Sequence, residues 1–279
     1  MGRLQFLGRL RSISFRSFLA MTTLATIGVW WKMDQPRRKN KAASTTQSLG
    51  GYVRHQPELV TSTPSPSAWI RDKLTASVTH DLAVVNLDGA KVTDTDLAAL
   101  EGIQGLRELS LNGTPITDRG MASLAGLSNL EVLELRETSI SDVGLAHVAG
   151  LGKLRVLYLY GTRVSDSGMA LIGHLRDLEE LSLTATQVSD KGLGRLAGLV
   201  RMKRLRLSRA RVTDAGIVHL AKMKQLEALD LSRTQVTDAG LANLSSLTDL
   251  KVLYLDETKV TVAGRLALQR SMPWLQIFE

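Results

Sequence analysis

Seven aspartates stand at equal intervals in this chain: Asp94, Asp118, Asp142, Asp166, Asp190, Asp214 and Asp238, each 24 residues beyond the last. A row of carboxylates can draw cations, so metal binding is the first chemistry to weigh. The imidazoles do not join them. His147 and His219 hold equivalent places but lie three intervals apart, His174 holds a different place, and His55 and His80 precede the pattern. They read as surface or capping residues. The chain has no cysteine, which excludes disulfides, thiolate catalysis and cysteine zinc sites. No G-x-S-x-G, H-E-x-x-H or P-loop pattern occurs, and no nucleophile has a base and an orienting group beside it in a known pattern. These residues point to no enzyme, no metal and no cofactor.

The second chemistry is electrostatic. "RMKRLRLSRAR", residues 201–211, holds six basic residues in eleven. Such density suggests a nucleic-acid or membrane patch unless acids lie alongside in space. The formal net charge is +8, but residues 1–66 carry ten basic side chains against Asp34 and Glu58, which leaves 25 basic and 25 acidic residues in 67–279. The excess charge belongs to the tail, and a domain-wide footprint for nucleic acid is absent.

What must position these residues is a repeat. From Leu82 onward eight copies of a 24-residue unit begin at Leu82, Leu106, Leu130, Leu154, Leu178, Met202, Leu226 and Leu250. The sixth position is leucine in all eight, and the fourth is Leu in seven, with Val85 in the first. The eleventh is Val or Ile throughout. Asp at the thirteenth fails only at Val262, and Gly at the fifteenth fails only at Asp96. Leucines at positions 4 and 6 alternate with outward residues, which predicts a short strand. Thr or Ser at 12, then Asp, then apolar residues at 16, 19 and 22 predict a capped helix with an anion in its first turn. One unit cannot bury its own apolar face, so the units must stack. Removing an inward leucine such as Leu159 or Leu183 should cost roughly 2–5 kcal/mol. The glycines at 15 and the alanines at 17 suit close helix approach, and the threonines at 9 suit bonding to turn backbone.

The period and the L-x-x-L-x-L core, with phrases such as "TDAGL" and "SDSGM", resemble the leucine-rich repeat family. The likeness is to its cysteine-containing branch and, more closely, to the bacterial T-D-x-G-L variety. It covers residues 82–279 and departs at the ninth position, where the family often has Asn or Cys and this chain has mostly Thr. The resemblance implies an α/β solenoid, a right-handed β-α superhelix with its parallel sheet concave and its helices convex. It also implies protein binding and carries over no catalytic residue.

In such a stack residue i lies beside i−24 and i+24, about 4.8 Å away across each strand pair. Lys203 then lies between Glu179 and Glu227, Arg204 beside Glu180, Arg206 beside Asp230 and Arg201 beside Asp177. Position 2 alternates in sign from Arg107 to Lys251. The cluster therefore reads mainly as a register-setting ladder. Arg209 and Arg211 lack an acidic neighbour, and Arg233 lies beside Arg209; these form a small basic spot for an acidic partner. Positions 3, 5, 7 and 8 face outward on the concave side. Tyr158, Tyr160 and Tyr254 fall at 5 or 7 and are the only aromatics between residues 70 and 273. Exposed tyrosines there either anchor a partner or simply suit strands. With Arg136 beside Tyr160 and Glu134 beside Tyr158, the expected partner-binding residues are Tyr158, Tyr160, Tyr254, Arg136, Glu134, Arg206, Arg209 and Arg233.

Residues 1–41 form a basic tail around "SFLAMTTLATIGVWW", residues 17–31. Fifteen helical residues span about 22 Å, short of a hydrocarbon core of about 30 Å, but Trp30, Trp31, Arg16 and Lys32 can reach the interfaces. The favoured expectation is an uncleaved single-span membrane anchor, resembling those of planctomycete-type bacterial proteins. A cleaved signal and an organelle presequence are the alternatives. Basic residues on both sides leave the orientation open. Residues 42–66, rich in Ser, Thr and Pro, read as a linker, and 67–81 as a cap in which Trp69, Ile70 and Leu74 cover the first repeat. At the other end "SMPWLQIFE" offers Trp274, Leu275 and Phe278 as a cover. The expected function is a membrane-tethered, non-enzymatic module whose concave face binds a protein. The alternative is an adaptor presenting clients to an enzyme complex such as a ubiquitin ligase, although no room for an F-box-like helical unit is evident before residue 82.

Overall fold

Three-residue strands recur at each 24-residue step because only positions 3–5 extend before the chain turns. The computed structural model describes residues 83–279 and the backbone of Tyr52–Arg54. The strands are β1 (Tyr52–Arg54), β2 (Val84–Asn86), β3 (Glu108–Ser110), β4 (Val132–Glu134), β5 (Val156–Tyr158), β6 (Glu180–Ser182), β7 (Arg204–Arg206), β8 (Ala228–Asp230), β9 (Val252–Tyr254) and β10 (Gln276–Phe278). They form one sheet in sequence order. β2 to β10 are parallel, and β1 pairs antiparallel with β2. Register follows the repeat, with Leu133 opposite Leu157 and Leu181 opposite Leu205. The fold is the expected α/β leucine-rich repeat solenoid. The position-4 and position-6 leucines line its core, Leu133, Leu135, Leu157 and Leu159 being wholly buried.

The strand ends because the backbone reverses hand. Position 8 has positive φ in every unit, from 53° at Glu257 to 69° at Gly161. Only three of these eight residues are glycine, namely Gly89, Gly113 and Gly161. Positions 7 and 8 therefore lie in a turn rather than on the strand, a correction to the expected outward strand set that moves Arg209 and Arg233 onto the rim. The threonines at position 9 lock the turn. Thr138 Oγ1 donates to the carbonyl of Leu135 at 2.6 Å and Thr162 Oγ1 to that of Leu159 at 2.7 Å, both buried.

The helices are α1 (Asp94–Leu97), α2 (Asp142–Leu145), α3 (Asp166–Ile172), α4 (Asp190–Leu196), α5 (Asp214–Ile217), α6 (Asp238–Ala242) and α7 (Val262–Ser271). Several continue as a tighter 3₁₀ turn, and the second unit has only a 3₁₀ segment, Gly120–Leu124. A 24-residue unit must also return to the sheet, which leaves little length for helix. The position-12 hydroxyl caps as expected: Ser141 Oγ accepts from Val143 N at 3.2 Å.

The aspartates do more than answer a helix dipole. Asp118 Oδ1 accepts from Ser141 N at 2.7 Å and Gly144 N at 3.0 Å, while Ser141 Oγ donates to its Oδ2 at 2.5 Å. The same clasp joins Asp166 to Ser189 and Gly192. Each aspartate thus ties its unit to the next. A Cβ added at Gly144 would sit 2.5 Å from Asp118 Oδ1, and at Gly120 2.6 Å from Asp94 Oδ1. The glycine exists to admit the carboxylate of the unit before it. One departure from the pattern follows: Asp96 lies in the first unit, where the place 24 residues before Asp94 is held by Ile70 and there is no carboxylate to admit.

At the C-terminal end Leu275 is buried, and Phe278 stacks on Tyr254 with ring centroids 5.1 Å apart. Trp274 is 52% exposed, and its Nε1 donates to the Leu250 carbonyl at 3.1 Å. The anchor at 17–31, the linker at 42–66 (apart from the backbone of Tyr52–Arg54) and the cap residues Trp69, Ile70 and Leu74 lie outside the described residues. Among the described residues no helix is long and apolar enough to cross a membrane.

Candidate partner-binding face

The outward side chains of β4 to β7 form one laterally bonded cluster centred on Tyr158. Register places Glu134 opposite Tyr158 and Arg206 opposite Asp230, as the repeat predicts. Tyr158 is not exposed; it is 2% accessible despite pointing out of the sheet. Arg136 Cζ lies 4.4 Å from its ring centroid and Arg206 Cζ 5.7 Å, one from each side, and its hydroxyl donates to Glu180 Oε2 at 2.8 Å. Burial, with the Glu180 carboxylate alongside, pushes the phenol well above its ordinary value. The expectation of an exposed Tyr158 anchor is therefore corrected. One long arginine from the unit before and one from two units beyond fold over the ring because cation–π contact and ring burial outweigh leaving it in water. Arg136 belongs to this cluster and caps Tyr158 rather than Tyr160.

The partners of Tyr158 are themselves held. Arg136 Nη2 lies 3.9 Å from Glu134 Oε2, and its backbone N donates to Asn112 Oδ1 at 2.9 Å. Asn112 Nδ2 donates to Glu134 Oε2 at 2.7 Å. Arg206 is 5% accessible, and Asp230 is held by Ser232 N at 2.9 Å. Burial raises the Asp230 carboxyl above its ordinary value, against the opposing pull of the Ser232 bonds and Arg206. Tyr254 is half-buried on Phe278. What remains reachable is Tyr160, Thr184 and Ser208, all partly exposed at position 7, with Arg209 and Arg233 exposed beyond them. Arg233 is not simply stacked on Arg209, since its Nη2 reaches Glu257 Oε1 at 2.7 Å.

The basic stretch 201–211 resolves largely as predicted. Arg201 pairs with Asp177 at 2.7 Å, Lys203 with Glu179 at 2.8 Å, and Arg204 with Glu180. The position-2 ladder is continuous around Glu179, which Arg155 also meets at 3.1 Å. Hydrogen bonds, first of all from Lys203, hold the Glu179 carboxyl below its ordinary value. Among the described residues no three His, Cys, Asp or Glu side chains converge to hold a metal ion. Sequence reasoning missed the aspartate clasp and the reversed turn. The signal for the clasp was present: Gly fails only in the first unit, where Ile70 holds the place 24 residues before Asp94, which is the signature of a bond from each unit to its successor.

A family model described as "Leucine-rich repeat region" matches residues 110–276. Among solved structures the chain is similar to an internalin C2 from Listeria monocytogenes str. 4b F2365, at 23% identity and a TM-score of 0.62 over 77% of this chain and 91% of that one. That likeness speaks to the fold alone. A search of curated proteins finds no significant match. With the repeat, the sheet register and the family model in agreement over most of the described residues, the chain belongs to the leucine-rich repeat family.

Proposed function

We propose that the repeat domain is a non-enzymatic docking module that binds a protein on its open sheet face. The observation carrying this reading is the preset cluster of Arg136, Tyr158, Glu180 and Arg206, bonded side to side on that face. Side chains already ordered lose little freedom on binding, so contact energy is not spent on arranging them. Beside them Thr184 and Ser208, next to Tyr160, are partly exposed and offer short hydroxyl side chains to a partner. The anchoring role assigned to Tyr158 passes to Tyr160 and Tyr254, with Glu134, Arg136 and Arg206 fixing the shape around them.

The test uses a photo-crosslinking amino acid placed in cells at Thr184 or Ser208, against the exposed helix-side positions Val143 or Ala215. A discrete adduct from the sheet face and none from the helix side is the expected result. Adducts from the helix side alone would overturn it.

The reading includes a tether. The apolar run 17–31 between basic flanks supports a single membrane-spanning segment, with 42–66 as a flexible lead to the repeats. Carbonate extraction that leaves the full chain with the membrane, and loses it when 17–31 is deleted, is expected. The T-D-x-G-L phrases, whose Asp and Gly the clasp explains, support placing the repeats in that bacterial variety.

A further inference from the structure

The two rims of the sheet carry different surfaces. Where the strands begin, the position-2 charges cancel: Arg107 meets Glu131 at 2.5 Å, Lys203 meets Glu179 at 2.8 Å, and Lys251 meets Glu227 at 3.3 Å. Where the strands end, positions 8 and 10 of units four to seven read Gly161, Arg163, Ala185, Gln187, Arg209, Arg211, Arg233 and Gln235, with four arginines and no acid. Arg163, Arg209 and Arg211 are exposed and make no ion pair among the described residues. The backbone presents them rigidly. Arg163 N donates to Ile140 O at 2.8 Å, Arg209 N to Ser232 O at 3.0 Å and Arg211 N to Val188 O at 2.9 Å. Arg209 and Arg233 both hold φ of 59°, a conformation that three other units give to glycine.

Resting on the reading of this domain as a protein-docking scaffold, we propose that the rim of Arg163, Arg209, Arg211 and Arg233 binds an extended acidic segment of the partner. Guanidinium forks suit carboxylates. Arg209 and Arg233 stand one unit apart, about 4.8 Å, and Arg163 and Arg211 two units apart, about 9.6 Å, so their long side chains bracket the repeat of about 6.6 Å between alternate side chains of an extended chain. Nucleic acid fits less well. Positions 8 and 10 carry no aromatic residue in any unit to stack a base, and the globular part is charge-balanced. The same positions lack large apolar residues to enter a membrane.

The test titrates the full chain in detergent with a fluorescent peptide alternating glutamate and serine, with its glutamine counterpart, and with single-stranded DNA of equal charge. A rim variant carries Arg163→Gln, Arg209→Gly and Arg211→Gln; the glycine fits the positive φ at 209. A control of equal charge carries Arg107→Gln, Lys251→Gln and Arg270→Gln and keeps the basic tail. The rim variant should bind the acidic peptide about ten-fold or more weakly, with an unchanged melting temperature, while the control stays close to wild type. Equal loss in both variants, no loss in the rim variant, or DNA bound as tightly as the peptide with the same rim dependence would each overturn the proposal. Sheet-face crosslinks at Thr184 or Ser208 with a rim-independent peptide would sink the rim alone. Rim-dependent binding without those crosslinks would sink the sheet-face docking and keep the rim.

Discussion

Asp118 makes three bonds at once into the next unit, to Ser141 N, Ser141 Oγ and Gly144 N. Charge-assisted bonds of this kind are worth about 1.5–3 kcal/mol when lost together with their pairing, so Asp118→Ala should cost about 2–3 kcal/mol. Gly144→Ala forces a Cβ to within 2.5 Å of that carboxylate and about 3.0 Å of Ile140 Cγ2. Overpacking of about 1–3 kcal/mol exceeds the gain of about 1 kcal/mol in helix propensity, giving a net loss of about 1–2 kcal/mol. The two residues share one space, so the double variant should lose less than the sum of the singles, by about 0.5 kcal/mol or more. Urea melts of all four proteins test this, and strict additivity would dissociate the glycine from the aspartate. The reversed turn makes a prediction of opposite sign. Ala185 holds φ of 54°, where its Cβ is strained. Ala185→Gly should raise stability by up to about 1 kcal/mol, relieving a left-handed Cβ clash at some cost in unfolded-state entropy. An unchanged or lower urea midpoint would count against strain at this position.

Between elements, the strand register is held at its opening rim by the charge ladder, and Glu179 is the best-connected rung. Lys203, Arg155 and Arg201 approach it at 2.8, 3.1 and 3.6 Å, and it is 7% accessible. Its three cations are far more exposed and can rehydrate if it is lost, so Glu179→Gln should cost about 1 kcal/mol rather than the several of a fully buried pair. Its folded-state pKa is depressed below the ordinary 4.5. The stability it gives is therefore complete above that value and is lost as pH falls through the folded pKa. Urea midpoints of wild type and Glu179→Gln should differ at neutral pH and converge in acid; a difference independent of pH would mean that the contact is not ionic. This ladder was legible in the sequence because strand pairing at a fixed step turns a list of residues into neighbours. The leucine core and the position-9 threonines were legible for the same reason. The fate of Tyr158 was not. A fixed step tells which residue is alongside, but not that two long arginines from units on either side bend over one ring. Nor does it reveal a backbone turning left-handed at Glu137, Ala185 or Arg209, because five of the eight residues there are types that normally avoid it.

At the scale of the whole chain, stability is close to a sum over neighbouring units, so its length should be editable in whole repeats. The ladder adds a parity rule. Position 2 alternates Arg107, Glu131, Arg155, Glu179, Lys203, Glu227, Lys251. Deleting one unit, residues 226–249, keeps every leucine and aspartate column but sets Lys203 beside Lys251. Deleting two, 202–249, sets Glu179 beside Lys251 and restores opposite signs. The pairwise terms are small, about 0.2–1 kcal/mol, and are buried in the larger loss of a repeat interface. Salt separates them. Screening weakens attraction and repulsion alike, so raising ionic strength should lower the melting temperature contributed by the ladder in the wild type and the two-unit deletion. The same change should relieve the one-unit deletion, whose new contact repels. The quantity to compare is the slope of melting temperature against salt across the three proteins, since any general salt effect on apolar burial shifts them all the same way. A more positive slope in the one-unit deletion alone is the expected outcome. A slope that varies smoothly with the number of units would show that the alternating charges do not meet in the folded chain, and with them would go the assignment of this rim as neutralised.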